Sequence, residues 1–154
     1  MSRSGYTDDC DGDGADLAMW RGVIASATRG KRGQRFFRDL VAALDAMPVK
    51  RLVAREFETP EGDVCALGCL ARARGVPMPS VIKGEWDDEP EADHDELAAT
   101  FDIAAGLAAE VMYHNDEWGS WRGPESPEQR WARVRKWVAS QIRVTPDELQ
   151  EDER

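Results

Sequence analysis

Residues 51–74, RLVAREFETPEGDVCALGCLARAR, change pattern three times in a short span, and any fold for this chain has to accommodate that change. Leu52 to Phe57 is rich in β-forming residues, and Thr59-Pro60-Glu61-Gly62-Asp63 carries turn chemistry. Val64 and Cys65 then resume an apolar extended run, and Leu67 to Arg74 has helix-forming composition closed by Gly75 at the C′ position. The pattern predicts an antiparallel β-hairpin over 51–66 feeding a helix, with Phe57 and Val64 as its apolar pins. An isolated hairpin is marginal in water, so helices must cover it. The expected fold is mainly α (α+β), about six helices packed around one two-stranded antiparallel hairpin.

Helical periodicity on both sides supplies the cover. Leu17, Trp20, Ile24 and Ala27 recur at helical spacing, predicting a helix from Asp16, its cap, to about Thr28, stopped by Gly30. A second helix starts near Gly33 or Gln34, buries Phe37, Leu40, Val41 and Leu44, and ends at Met47 before Pro48. Asp93 with Glu96 resembles a capping box opening a short helix over Asp95 to Phe101. Asp102 is expected to cap the next, with Ile103, Leu107 and Val111 on one face. Ser126-Pro127-Glu128-Gln129 is a strong helix start, and Trp131, Val134, Val138 and Ile142 follow as the buried face of a helix to about Arg143. The domain reading is a disordered acidic tail over 1–15, one helical domain over 16–144 with an acidic loop at 83–94, and an acidic tail over 145–154.

The net charge of −10 is unevenly spread. Asp8, Asp9, Asp11, Asp13 and Asp16 carry −5, residues 85–96 carry −8 and residues 147–154 carry −4; these segments hold −17, which leaves +7 on the rest. The expected folded body is therefore basic, and the acid lies in segments of disorder-like composition. No apolar run is long enough to span a bilayer, and the N-terminus MSRSGYTDD lacks signal-peptide regions, so the expectation is a cytoplasmic protein with no membrane partner. Three cysteines without a disulfide-framework spacing agree with a reducing compartment.

Arg29-Gly30-Lys31-Arg32-Gly33-Gln34-Arg35 couples two glycines to four cations at a helix start, where free N–H groups favour anions. It lacks the spacing of a nucleotide-binding P-loop. With Arg130, Arg133 and Lys136 on the last helix, the cations Arg29, Lys31, Arg32 and Arg35 form the candidate anion or nucleic-acid surface. Trp118, Trp121 and Arg122 lie in a glycine-flanked loop and are the candidate partner contact.

The chain resembles a family of uncharacterised proteins encoded by bacterial phages and prophages. The likeness covers about residues 20–140. It rests on Trp20-Arg21, on Arg29-Gly30-Lys31-Arg32-Gly33-Gln34, on Ala46-Met47-Pro48 with Lys50-Arg51-Leu52, on Cys65-Ala66-Leu67-Gly68, and on Asn115-Asp116-Glu117 before Pro127-Glu128. More distantly, Cys-Ala-Leu-Gly followed by Asn-Asp and a Ser/Thr-Pro-Glu helix start looks like a broader group of small bacterial domains of unknown function. The resemblance implies a genomic context and no reaction, and residues 85–93 look like an insertion relative to it.

Three catalytic or metal readings compete with packing. Cys65 at a strand-to-helix junction, with His114 and Asp116, offers the residue types of a cysteine-dependent hydrolase, although their order matches no hydrolase signature. Cysteine is among the most buried residue types, so a core role for Cys65 is the simpler reading. Cys65, Cys69, His94 and His114 do not have structural zinc spacing. Asp9 to Gly14 matches the first six positions of an EF-hand loop, but position twelve is Trp20. No metal or cofactor is expected. The sequence reading is a non-catalytic phage or prophage accessory binding protein acting on a host protein or nucleic acid, with counter-defence made plausible by context. A cysteine hydrolase, or an oligomeric structural module using the Trp loop as a self-contact, are the alternatives.

Overall fold

Phe36, Phe37, Leu40, Ala43 and Leu44 sit three and four residues apart, the spacing that puts side chains on one face of a helix, and all five are buried. The computed structural model describes residues 3–4, 14–79, 81–83, 90–117 and 123–145. Among these residues there are six helices: α1 Gly14–Arg29, α2 Lys31–Ala46, α3 Ala66–Arg74, α4 His94–Phe101, α5 Ala105–Asp116 and α6 Pro127–Gln141. α2 packs against α1, α3 and α6, while α5 packs against α1, α3, α4 and α6. Edge-to-face aromatic contacts tie these layers. Phe36 meets Phe37 at 5.2 Å and Phe101 of α4 at 6.4 Å, and Phe37 meets Trp137 of α6 at 5.6 Å.

The hairpin expected over 51–66 does not form. Its turn is present: the Asp63 N–H donates to the Thr59 hydroxyl at 3.1 Å, the Thr59 N–H donates to the Asp63 carbonyl at 2.8 Å, and Gly62 has φ +89°. Beyond an isolated bridge between Glu58 and Val64, the flanks are irregular. Two backbone bonds still join the flanks, Val53 N–H to the Val64 carbonyl at 3.0 Å and Cys65 N–H to the Phe57 carbonyl at 3.2 Å, but other groups of the would-be first strand go elsewhere. Leu52 N–H donates to the Pro127 carbonyl at 3.0 Å, the Val53 carbonyl accepts from Asn115, and the Leu52 carbonyl accepts from Arg130. Arg55 takes φ +67°, which breaks the alternation a strand needs. The segment 47–65 is thus a structured loop laid across helix ends, and the helices pack around α2 and α5 rather than around a hairpin. Phe57 and Val64 are nonetheless core residues. A short antiparallel pairing joins β1 Val81–Lys83, at the start of the stretch read as an acidic loop, to β2 Pro90–Ala92 within it.

Several boundaries move for local reasons. α1 begins at Gly14, so Asp16 lies inside it, and α2 begins at Lys31, leaving Gly30 alone between two helices. Asp102 closes α4 in the left-handed conformation at φ +53°, and Ala104, not Asp102, is the N-cap of α5. Where the signal was wholly local it placed the end correctly. Asp93 accepts from the N–H groups of Asp95 and Glu96, Gly75 has φ +66° after α3, and Ser126 with Gln129 forms a reciprocal capping box on α6. No helix among the described residues is long and apolar enough to cross a membrane.

Candidate functional site

The basic motif at residues 29–35 is an elbow between helices, and its non-cationic residues explain its shape. Gly33 lets α2 pass directly over the end of α1, since a Cβ there would lie 2.0 Å from the Ala27 carbonyl oxygen. Gln34 then joins three helix ends. Its amide nitrogen donates to the Thr28 carbonyl at 2.8 Å and the Gln141 carbonyl at 2.9 Å, and its oxygen accepts from the Arg143 N–H at 2.8 Å. These contacts satisfy terminal carbonyls of α1 and α6 that have no partner within their own helices. The cations are left outside. Arg29, Lys31 and Arg35 are exposed and have no ion-pair partner among the described residues, and Arg32 makes an exposed pair with Asp102 at 3.3 Å.

Beside these cations lies an apolar face that the periodicity reading had turned inward. Leu17 and Trp20, expected in the core, are 45% and 39% exposed, and Met19 and Val23 are 67% and 50% exposed. α1 is held mainly by Thr28, which is buried, by the partly buried Ile24 and Ala27, and by Gly106 of α5, whose missing side chain admits Trp20 and Ile24. Met19 and Val23 stand one helical turn apart and line a groove of about 740 Å³ with Ala27, Ala104, Lys31 and Arg32. The groove has an apolar floor and a cationic rim.

The second half of the expected anion surface is committed internally. Arg133 donates to both carboxylate oxygens of Glu125, at 2.7 and 2.9 Å, and to the backbone carbonyls of His114 and Asn115 at the end of α5. Arg130 pairs with Glu125 at 3.4 Å and donates to the Leu52 carbonyl. Hydrogen bonds from Arg133 hold the Glu125 carboxyl below its ordinary range, and burial pulls the Arg130 guanidinium below its own. These arginines clamp α5, α6 and the 47–65 loop together, and of the three only Lys136 is exposed.

The Cys-Ala-Leu-Gly and Asn-Asp motifs, 50 residues apart, meet at one junction. Cys65 is the N-cap of α3, its sulfur accepting from the Gly68 N–H at 3.4 Å, and the Asn115 side-chain oxygen accepts from the Ala66 N–H at 3.0 Å. Two of the free donors at the start of α3 are thereby satisfied. Gly68 permits the approach of the loop, because a Cβ there would sit 2.1 Å from the Phe57 carbonyl oxygen. Asp116 binds Arg3 through two hydrogen bonds, at 2.6 and 2.8 Å, in a pair whose side chains are each 2% exposed. Burial pulls the Arg3 guanidinium down, but Cys65 and Asp116 outweigh it and hold the pKa above its usual value.

This arrangement does not assemble Cys65, His114 and Asp116 into a catalytic set. His114 and Asp116 are two residues apart on α5 and so point to different faces of the helix. The His114 ring stacks on Trp137 at 3.8 Å and meets Glu110 at 3.2 Å, whereas Asp116 faces Arg3, and Cys65 is buried under the loop at 1% exposure. Burial pushes the Cys69 thiol up to about 11, so it stays protonated at neutral pH. Among the described residues no group of three or more His, Cys, Asp or Glu side chains could hold a metal ion. Trp118, Trp121 and Arg122, and the EF-hand-like residues 9–13, lie outside the described residues. Arg3, Gln34 and the role of Asn115 were not legible in sequence, because each acts on a partner far along the chain. Comparison with protein-family models, curated proteins and solved structures returns no match in any of the three.

Proposed function

We propose that this chain is a non-catalytic binding protein that docks a protein partner on the α1–α2 face. The observation that carries the reading is the exposed apolar row of Met19 and Val23 in a groove rimmed by Lys31 and Arg32. The partner that fits has an apolar ridge flanked by carboxylates: the groove floor takes the ridge and the cationic rim takes the acids. Exposed Met and Val favour protein over nucleic acid, which rewards aromatic platforms and cations more than aliphatic side chains. The resemblance to phage and prophage proteins supports placing it as an accessory protein acting on a host protein, counter-defence being one such role. The burial of Cys65 and the separation of His114 from Asp116 weigh against the hydrolase reading.

The test is site-specific photo-crosslinking from position 19 in host cells, followed by binding assays with the partner so identified. Val23→Asp and, separately, Lys31→Glu with Arg32→Glu should each abolish binding, while Lys136→Glu on α6 leaves it intact. Oligonucleotide binding that is steep in salt, lost in the charge variant and kept in Val23→Asp, assigns the face to nucleic acid instead. Capture of a second copy of the chain assigns it to self-association. Binding indifferent to all three variants sinks the proposal.

A further inference from the structure

Asp116 is oriented by groups that owe nothing to Arg3. Its Oδ1 accepts from the Asn115 amide at 2.8 Å and from the Arg55 backbone N–H at 3.0 Å. Asn115 is itself fixed by donating to the Val53 carbonyl at 2.9 Å and accepting from Ala66 N–H. The Phe57 ring, 3% exposed, forms an aromatic wall, and the Cys65 sulfur lies opposite as a soft acceptor. All of these residues lie between positions 53 and 116, and none of their mutual bonds involves residue 3.

Into this frame Arg3 brings a planar guanidinium. Nε and one terminal nitrogen fork onto the two Asp116 oxygens, the other terminal nitrogen reaches Cys65 Sγ at 3.5 Å, and the plane lies 4.8 Å from the Phe57 centroid. Around the fork, the Arg3 carbonyl lies 3.0 Å from His94 Nε2, and the Ser4 hydroxyl donates to Glu117 at 3.4 Å. The socket supplies a bidentate carboxylate, an aromatic face and a third acceptor, which together match a guanidinium and mismatch an ammonium.

The geometry points to a preformed guanidinium-binding site on the body of the protein, filled in cis by Arg3 and able to take an arginine side chain or alkylguanidinium in trans when Arg3 is absent. Arg3 is then the internal competitor for an arginine-bearing ligand. This site is separate from the α1–α2 face and stands or falls independently of it.

The probe is methylguanidine, with methylammonium as the matched control at equal ionic strength. Removing the side chain in Arg3→Ala should empty the socket. Methylguanidine at millimolar concentration should raise the melting temperature of Arg3→Ala saturably and that of the wild type far less, while methylammonium raises neither. In Arg3→Ala with Asp116→Asn, affinity should fall at least about tenfold, the loss expected when one hydrogen-bonded charged partner is removed. A second readout is alkylation of Cys65 followed by peptide mass spectrometry: faster in Arg3→Ala than in wild type, and slowed again by methylguanidine. If Arg3→Ala does not fold alone, its refolding yield against methylguanidine becomes the measurement, and rescue supports the site. Equal responses to methylguanidine and methylammonium, equal responses of wild type and Arg3→Ala, or no rescue of refolding would overturn it.

Discussion

Gly68 and Gly22 present opposite cases at the scale of single residues. At Gly68 an added methyl meets the Phe57 carbonyl oxygen at 2.1 Å, and the same carbonyl accepts the Cys65 N–H at 3.2 Å. Gly68→Ala must push the loop off the start of α3, and the expected cost is about 1–3 kcal/mol in chemical denaturation. Gly22 has nothing within 4 Å of the same methyl position and sits inside α1, so Gly22→Ala should gain about 0.5–1 kcal/mol from helix propensity alone. Similar effects at the two sites would contradict the close approach at Gly68. The Cys-Ala-Leu-Gly motif was visible in the sequence, but its content was not. Cysteine as an N-cap and glycine as a contact point become readable only once Asn115 and Phe57 are known to face them.

At the scale of elements, ends fixed by their own neighbours were legible and ends fixed by distant side chains were not. Ser126, Asp93 and Gly75 act on backbone groups within about one helical turn, so their signals are written in order. The segment Leu52–Phe57 has the composition of a strand, yet three of its backbone hydrogen bonds go to Pro127, Asn115 and Arg130, and composition cannot announce partners that lie 60 to 80 residues on. Arg133 follows the same rule: its charge was plain in the sequence, but the carbonyls of His114 and Asn115 that it serves were not. Gln34 is the sharpest test of this view, since it holds the ends of α1 and α6 through three hydrogen bonds. Gln34→Ala should cost about 1–3 kcal/mol while leaving the exposed cations of the elbow in place. Hydrogen exchange should quicken at the last turns of α1 and α6 before it does elsewhere. A variant as stable as a surface substitution would remove Gln34 from that role.

For the whole molecule, acid is the condition that separates its two kinds of carboxylate. Glu125 is held below its ordinary range by Arg133, and Asp45 and Asp63 are lowered by Arg135 and Arg51. A carboxyl whose folded pKa lies below its unfolded value stabilises the fold fully above the unfolded value, about 4 for these groups, and loses that contribution as the pH falls through the folded value. Stability should therefore drop below about pH 5, and Glu125→Gln should flatten that drop because the clamp no longer titrates. An unchanged slope in the variant would show that the Arg133 clamp contributes nothing to acid unfolding. The seating of Arg3 also bears on how the chain is made. Arg3 leaves the ribosome 113 residues ahead of Asp116, which at roughly 5–20 residues per second is an interval of about 6–23 s. During that interval a nascent chain carries a guanidinium with no socket and, once residue 65 has emerged, a thiol whose cover is unfinished. The tie between residue 3 and the body of the protein therefore waits on a partner made far later in synthesis.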